Sequence, residues 1–184
     1  IRSKKRWLCG RLLNLEMKKE IVKNIFSDQK DTNIALTSEN NSPLLFKDLK
    51  DLANKISRQL SGNQISNKDR AAIILPNGPY MASSFLAISS YMSAAPLNPN
   101  YKSDEYEFYL NDLKPKIVLV EPNSTNSAVV VAKKLKIPIC EIKIKKDQPT
   151  GFFDLFNKEN NFNEPNENDE ALVLHTSGTT SRPK

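Results

Sequence analysis

Ala71-Ala72-Ile73-Ile74-Leu75-Pro76-Asn77-Gly78-Pro79 is the stretch on which the fold turns. An unbroken apolar run of this length fits a strand covered on both faces, because a strand open to water on one side alternates apolar with polar residues. Pro76-Asn77-Gly78-Pro79 then turns the chain into a helix placed near Tyr80 to Met92. No charged residue occurs between Ala71 and Tyr101. A membrane span would need about 20 predominantly apolar residues in one helix. Here Pro76, Gly78, Pro79 and Pro96 break the stretch, and Ser83, Ser84, Ser89, Ser90 and Ser93 interrupt it. It reads instead as a buried strand–helix–strand unit, completed by an extended segment from Ala94 to Asn98.

The same alternation continues in both directions. Upstream, Leu49, Leu52, Ala53, Ile56 and Leu60 recur at spacings of three and four, which predicts a helix from Lys47 to Leu60 ended by Ser61-Gly62. Before it come a strand at Ile34 to Thr37, a turn at Asn40 to Pro43, and a short amphipathic helix at 18–26 with Ile21, Val22 and Ile25 on its inner side. Downstream, Ser103 is expected to cap a helix whose first turn holds Asp104 and Glu105. Its inner face would be Tyr106, Tyr109, Leu110 and Leu113, aromatics read as core. Ile117 to Val120 is a strand, Ser127 to Leu135 a helix, and Ile137 to Ile142 a strand. The segment 143–168 is rich in Asn, Lys and Glu and reads as a surface linker held by Phe152, Phe153 and Phe156, with room for one short helix. Ala171 to Leu174 returns as a strand. Strands alternating with helices at this period predict an α/β fold with a layered, mainly parallel sheet and helices on both faces.

The sequence has 184 residues and a net charge of +6. Its composition, 39% hydrophobic and 26% charged, is that of an ordinary soluble domain large enough to bury a core. Cys9 and Cys140 cannot form a disulfide scaffold, and His175, the one histidine, excludes a two-histidine metal site within these residues. Residues 1–16 carry Arg2, Lys4, Lys5, Arg6 and Arg11 against Glu16, and so account for most of the net charge. One reading is a basic arm for nucleic acid or membrane phosphates. The other, which we adopt, is upstream translation with Met17 as the true start and residues 17–184 as the domain portion. No apolar core of secretory-signal length follows the basic cluster. The expected location is cytoplasmic, although a C-terminal peroxisomal signal would lie out of view. At the other end the chain stops straight after a polar loop, and truncation is the expectation there.

That loop carries the chemistry. Thr176-Ser177-Gly178-Thr179-Thr180-Ser181-Arg182-Pro183-Lys184 offers five hydroxyl groups within six positions. Gly178 lets the backbone approach a ligand, successive N–H groups can form an anion-binding concavity, and Lys184 adds a positive charge for phosphate oxygens. A Walker A loop would need Gly-Lys-Ser/Thr entering a helix, which is absent. A polar surface turn is the competing reading, since Ser, Thr, Gly and Pro all favour turns. The ordered string after an apolar strand favours a phosphate cradle. In this order it resembles the phosphate-binding signature T-S-G-T-T-G-x-P-K of the adenylate-forming (AMP-binding) superfamily, with Ser181 in place of the usual third glycine. Leu44 to Leu49, Asp69 to Gly78 and Ala95-Pro96-Leu97-Asn98-Pro99-Asn100-Tyr101 are similar to segments of the same superfamily. The wording around His175 and Ala95 to Pro99 most resembles its oxalate–CoA ligase branch.

The resemblance implies an ATP-dependent acyl-CoA synthetase: a small-molecule carboxylate and ATP give acyl-AMP and pyrophosphate, and coenzyme A then takes the acyl group. It implies magnesium as the metal partner of ATP. It also implies that Thr176, Ser177, Gly178, Thr179 and Thr180 wrap the phosphates while Lys184 meets their β/γ end. The catalytic residues and the family's own metal ligand are expected beyond Lys184, and the 184-residue piece is expected to be inactive. His175 is open between lining the nucleotide site and merely finishing the strand. The main alternative is a non-catalytic nucleotide- or phosphate-binding remnant. A nucleic-acid-binding protein is disfavoured, because no aromatics are interleaved with basic residues on a strand face. Carboxylate, thiol acceptor and oligomeric state are not legible in these residues.

Overall fold

The computed structural model describes residues 21–39 and 41–175. At its centre is a four-stranded, wholly parallel sheet of β3 (Arg70–Ile74), β4 (Ser93–Pro96), β5 (Ile117–Val120) and β6 (Ile139–Glu141), in the order β4-β3-β5-β6. The linking helices are α3 (Pro79–Ser89), α4 (Ser103–Leu113) and α5 (Ser127–Lys134). They are preceded by α1 (Asn24–Ser27), an antiparallel pair β1 (Ile34–Leu36) and β2 (Leu44–Leu45), and the long α2 (Phe46–Gly62).

The path of the chain explains the layers. From β3 it moves one way to β4, then back over β3 to β5, then onward to β6. Crossovers of a single hand must pass over opposite faces when the direction of travel reverses. Accordingly α2 and α3 cover one face with Ala71, Ile73, Ala94, Ile117 and Leu119. Helices α4 and α5 cover the other with Ala72, Ile74, Ala95, Val118 and Val120. Alternate residues of each central strand thus enter opposite cores, and this is why the strands read as unbroken apolar runs. The fold is the predicted α/β class.

Several elements differ locally from the reading. The amphipathic helix at 18–26 is, in its described part, the short α1, and Phe26 is its buried residue while Ile25 is 69% exposed. Four residues present no full apolar stripe, and the aromatic takes the core. Helix α4 begins at Ser103, but Ser103 is not the cap. The Lys102 N–H donates to Glu105 Oε2 at 2.9 Å, so the carboxylate three residues into the helix satisfies that donor. The last strand contracts to Ile139–Glu141, since Lys136 has φ +57° and Ile137 N–H still bonds Ala132 O at 2.9 Å.

The segment 143–168 departs furthest from expectation. Its flanks are exposed, but Thr150, Phe153, Asp154 and Leu155 are buried, and it holds no helix. Lys143 and Asp154 form an antiparallel bridge. Gly151 has φ +72°, a Cβ there would lie 2.9 Å from Pro79 O, and its own carbonyl accepts from Ser83 Oγ at 2.7 Å. At the far end of α2, Gly62 allows Lys158 O to pass where a Cβ would stand at 2.6 Å. Both glycines are sites of close backbone approach.

Asp154 is the charged centre of this attachment. It pairs with Lys55, with Lys145 at 2.7 Å, and with Gln59 Nε2 at 3.2 Å. Burial alone would raise its carboxyl, but the hydrogen bonds from Lys145, Lys55 and Gln59 outweigh it and hold the group below its ordinary 3.8. A lowered folded-state value means that the stabilisation is complete above that ordinary range and is lost as pH falls through the folded value. Asp154→Asn is therefore expected to be less stable than the parent at about pH 7, with the difference shrinking as pH falls below the ordinary carboxyl range and vanishing once pH passes below the folded value. Urea denaturation across this pH range checks this; a stability difference independent of pH would count against the clamp.

Candidate functional site

The phosphate-loop residues Thr176, Ser177, Gly178, Thr179, Thr180 and Lys184 lie outside the described residues. What the structure does show is how the chain is delivered to them. Ala171 to Leu174 was expected as a strand. It lies beside β4 but is reduced to a single parallel bridge between Leu172 and Ala94, with Ala94 N–H to Ala171 O at 2.9 Å and Val173 N–H to Ala94 O at 3.0 Å. Val173 turns into the core, whereas Leu172 and Leu174 are 41% and 61% exposed.

Side chains hold the two ends of this edge segment where the ladder does not. At its start, Arg70 of β3 grips Glu170 with two bonds, Nε at 2.7 Å and Nη2 at 2.9 Å. Lys68 pairs with Asp169 beside it. The bond to Arg70 is the main reason the Glu170 carboxyl sits below its usual range. At its other end, His175 meets α4: Nε2 is 2.9 Å from Asp112 Oδ2, and the ring lies edge-on to Tyr109 with centroids 4.7 Å apart. Arg70 also reaches the Leu113 carbonyl at 3.4 Å, so the last turn of α4 bears on both clamps.

Tyr109 continues the contact upward. Its ring stacks on Tyr101 at 4.9 Å and 18°. Hydrogen bonding with Tyr101, reinforced by burial, pushes the Tyr109 hydroxyl up to about 12, so it stays neutral. The segment 97–101 that carries Tyr101 is itself pinned. Leu97 N–H bonds Ile73 O at 3.0 Å, Tyr106 Oη donates to Asn98 O at 2.8 Å, Asn126 Nδ2 to Pro99 O at 2.7 Å, and Ser127 Oγ to Tyr101 O at 3.2 Å. Asn126 also caps α5 through the Ala128 N–H at 2.9 Å. Sequence reasoning missed Asn126, Arg70 and Asp112 as organisers of this region. Only Asn126, an Asn directly before a helix, carried a local signal.

Beside this edge, β3 and β5 send their connections in opposite directions. The carboxyl ends of such a strand pair commonly form a ligand crevice. Here the crevice is a cleft of about 210 Å³ lined by Leu75 to Tyr80, Glu121, Pro122, Ile142 and Ile144. Among the described residues no group of three or more His, Cys, Asp or Glu could hold a metal ion, so no described residue is assigned to magnesium. No helix among them is long and apolar enough to cross a membrane.

The described residues form a parallel α/β sheet, and the hydroxyl-rich string comes next in sequence after the segment at its edge. The chain belongs to the AMP-binding enzyme family, whose profile matches residues 26–184. It is 35% identical over 134 residues to an oxalate–CoA ligase of Arabidopsis thaliana, covering 70% of this chain and 26% of that protein. It is 32% identical over 147 residues to a probable CoA ligase of Humulus lupulus, covering 74% and 27%. Apo MatB of Rhodopseudomonas palustris shares the fold, with TM-score 0.70 and 20% identity over 89% of this chain and 33% of that one. The chain therefore spans about a quarter of the length of the curated relatives it matches.

Proposed function

We propose that the chain is the N-terminal part of an ATP-dependent acid–thiol ligase that activates a small carboxylate as its adenylate and passes the acyl group to coenzyme A. The observation that carries this reading is the string Thr176 to Lys184, set after an edge segment clamped by Arg70 and Asp112 within a family match. Within it, 17–184 is the family portion, 143–168 the connection to α2, and 176–184 the phosphate-binding loop.

The chemical problem is one of charge. A carboxylate oxygen bonds to the α-phosphorus of a polyanion while the bond from that phosphorus to the α–β bridging oxygen breaks and pyrophosphate leaves. The thiol sulfur then bonds to the acyl carbon, AMP departs and the thiol proton is lost. Hydroxyls and N–H groups fixed in advance stabilise the charge that develops on the phosphates without reorganising during the step. Thr176, Ser177, Thr179 and Thr180 would supply those donors, Gly178 the close approach, and Lys184 a positive charge at the β/γ end. Magnesium, when bound with ATP, would neutralise part of the phosphate charge.

The reading extends to a small dicarboxylate substrate, with oxalate first; it is supported by Ala95 to Pro99 and Ser181, which resemble that branch, and by a relative that bears that name. The test is coenzyme A-dependent AMP release by the full-length enzyme with oxalate, acetate, a hydroxycinnamate and a long-chain fatty acid. Oxalate is expected to be preferred. Preference for the fatty acid or the hydroxycinnamate would remove the dicarboxylate assignment and leave the ligase. ATP binding with no adenylation of any carboxylate would identify a non-catalytic nucleotide-binding protein instead.

A further inference from the structure

Lysines crowd one end of the sheet. Between Leu113 and Ile139 there are five lysines against a single acid, Glu121, and no arginine or aromatic residue. Glu121 follows β5 at its carboxyl end, whereas the lysines stand at the amino ends of β5 and β6. Lys114 closes α4, Lys116 directly precedes β5, and Lys133, Lys134 and Lys136 lie between the last turn of α5 and β6. The parallel register sets Val118 beside Ile139, so two residues back Lys116 is level with Ile137 and next to Lys136. Lys134 is neutralised by Glu107, whose two oxygens both lie 2.8 Å from its Nζ. Carboxylates brought to this end by other elements are engaged too: Asp112 with His175, Asp69 with the Ser66 N–H at 2.8 Å, Glu170 with Arg70 and Asp169 with Lys68. Lys114, Lys116, Lys133 and Lys136 are exposed and have no side-chain partner among the described residues. Two of them hold the left-handed backbone conformation, Lys114 at φ +47° and Lys136 at φ +57°. Glycine or asparagine ordinarily fills such a place after a helix, because a Cβ is strained there. The helix dipole favours cations in the last turn of α5 and so accounts for Lys133. It does not account for Lys116, which leads into a strand.

We propose that this end of the sheet is a docking surface for a membrane rich in anionic phospholipid. Four uncompensated ammonium groups stand on separate elements, and each is a point charge on a flexible stem that asks no fixed geometry of its partner. Mobile headgroups suit such a field. Phosphates in a fixed arrangement are gripped by arginine forks, and single-stranded nucleic acid by aromatic platforms; this stretch holds neither residue type. Val130, 68% exposed, stands one turn before Lys133 and Lys134 on the outer side of α5 and offers an apolar contact at headgroup depth. The attraction is about a 5-fold factor for each lysine near the surface, and salt screens it. The role is separate from the ligase chemistry and does not depend on it.

Co-sedimentation of the full-length enzyme with extruded vesicles of phosphatidylcholine, with and without phosphatidylserine, tests the surface. Binding is expected to the phosphatidylserine vesicles alone and is expected to fall as salt is raised. Lys114→Asn together with Lys136→Asn should weaken it about 25-fold, the product of two such factors. Tm should not fall, since asparagine tolerates the left-handed conformation that both lysines hold. Adding Lys116→Gln and Lys133→Gln should bring the loss to on the order of 10²–10³-fold. Variants that change Tm and leave vesicle binding as in the parent would show a purely structural role and overturn the proposal. Equal binding to both kinds of vesicle, or binding to neither, would also overturn it. So would binding that survives all four changes and is lost on Lys4→Gln, Lys5→Gln and Arg6→Gln, which would move the contact to the basic residues at 1–16. Tighter binding of polyuridylate than of phosphatidylserine vesicles would reject the lipid and assign the surface to nucleic acid.

Discussion

Gln59→Leu is expected to destabilise the fold by roughly 3 kcal/mol, although leucine is the more apolar residue and the site is buried. Gln59 lies on the inner face of α2, and its Oε1 accepts from the Leu155 N–H at 2.8 Å and the Phe156 N–H at 3.2 Å. Its Nε2 donates to Asp154 at 3.2 Å. One side chain thus satisfies two main-chain donors of a segment with no ladder to satisfy them, together with part of a buried carboxylate. Leucine would leave all three without that partner, and each buried orphan costs about 1–3 kcal/mol. In a domain of this size the loss corresponds to a fall in Tm of about 6–12 °C. Thermal and urea denaturation measure it. A loss below about 1 kcal/mol would mean that other groups replace the bonds and that the 153–156 segment is held by packing alone.

Gln59 also marks where the sequence stops being legible. Its position continues the stripe Leu52, Ile56, and a polar residue there is the one hint that the inner face of α2 meets something polar. What it meets lies 95 residues on, in a stretch whose composition resembles a linker. Burial at 150–155 rests on Phe153 and Leu155 in the core, on Gln59 and Asp154, and on the close approach at Gly151; the aromatics were legible in the sequence, whereas the polar bonds and the glycine contact leave no apolar period to read. Where burial was apolar and regular the reading held. The inner faces of α2 and α4 and the runs at β3 and β5 are core because each alternate residue enters one of two apolar layers. Strand order was not legible, since no local pattern records that the chain returns over β3 from β4 to β5. The edge segment was over-read as a strand because Ala171 to Leu174 is apolar, yet it makes a single bridge to Ala94 and is held at its ends by Arg70 and Asp112.

The same division governs the candidate site. The hydroxyl string could be proposed as a phosphate loop from its order and composition alone. The groups that hold the segment before it could not be read in that way. Arg70 and Asp112 come from the start of β3 and the last turn of α4, and the topology brings them to one sheet edge. A motif can therefore suggest a ligand class, while the contacts that fix the segment before it come from residues that no motif includes.

Lys184→Ala in the full-length enzyme is expected to slow adenylate formation by about 10²-fold and to leave thiol transfer nearly unchanged. The asymmetry follows from where the charge goes. In the first half-reaction, cleavage of the α–β bridging bond throws negative charge onto the departing pyrophosphate, and a fixed cation at its β/γ end gains strength as the step proceeds. In the second half-reaction the leaving group is AMP, and the phosphates that Lys184 is proposed to meet have gone. Lys184→Arg should recover part of the rate, since it keeps the charge but replaces a compact ammonium with a planar fork of different reach. Single-turnover measurements that start separately from ATP plus carboxylate and from preformed acyl-AMP resolve the two steps. Equal slowing of both would place Lys184 in general loop stability. Slowing confined to thiol transfer would move it away from the pyrophosphate altogether, and with it the orientation of the Thr176–Thr180 string toward the β/γ end.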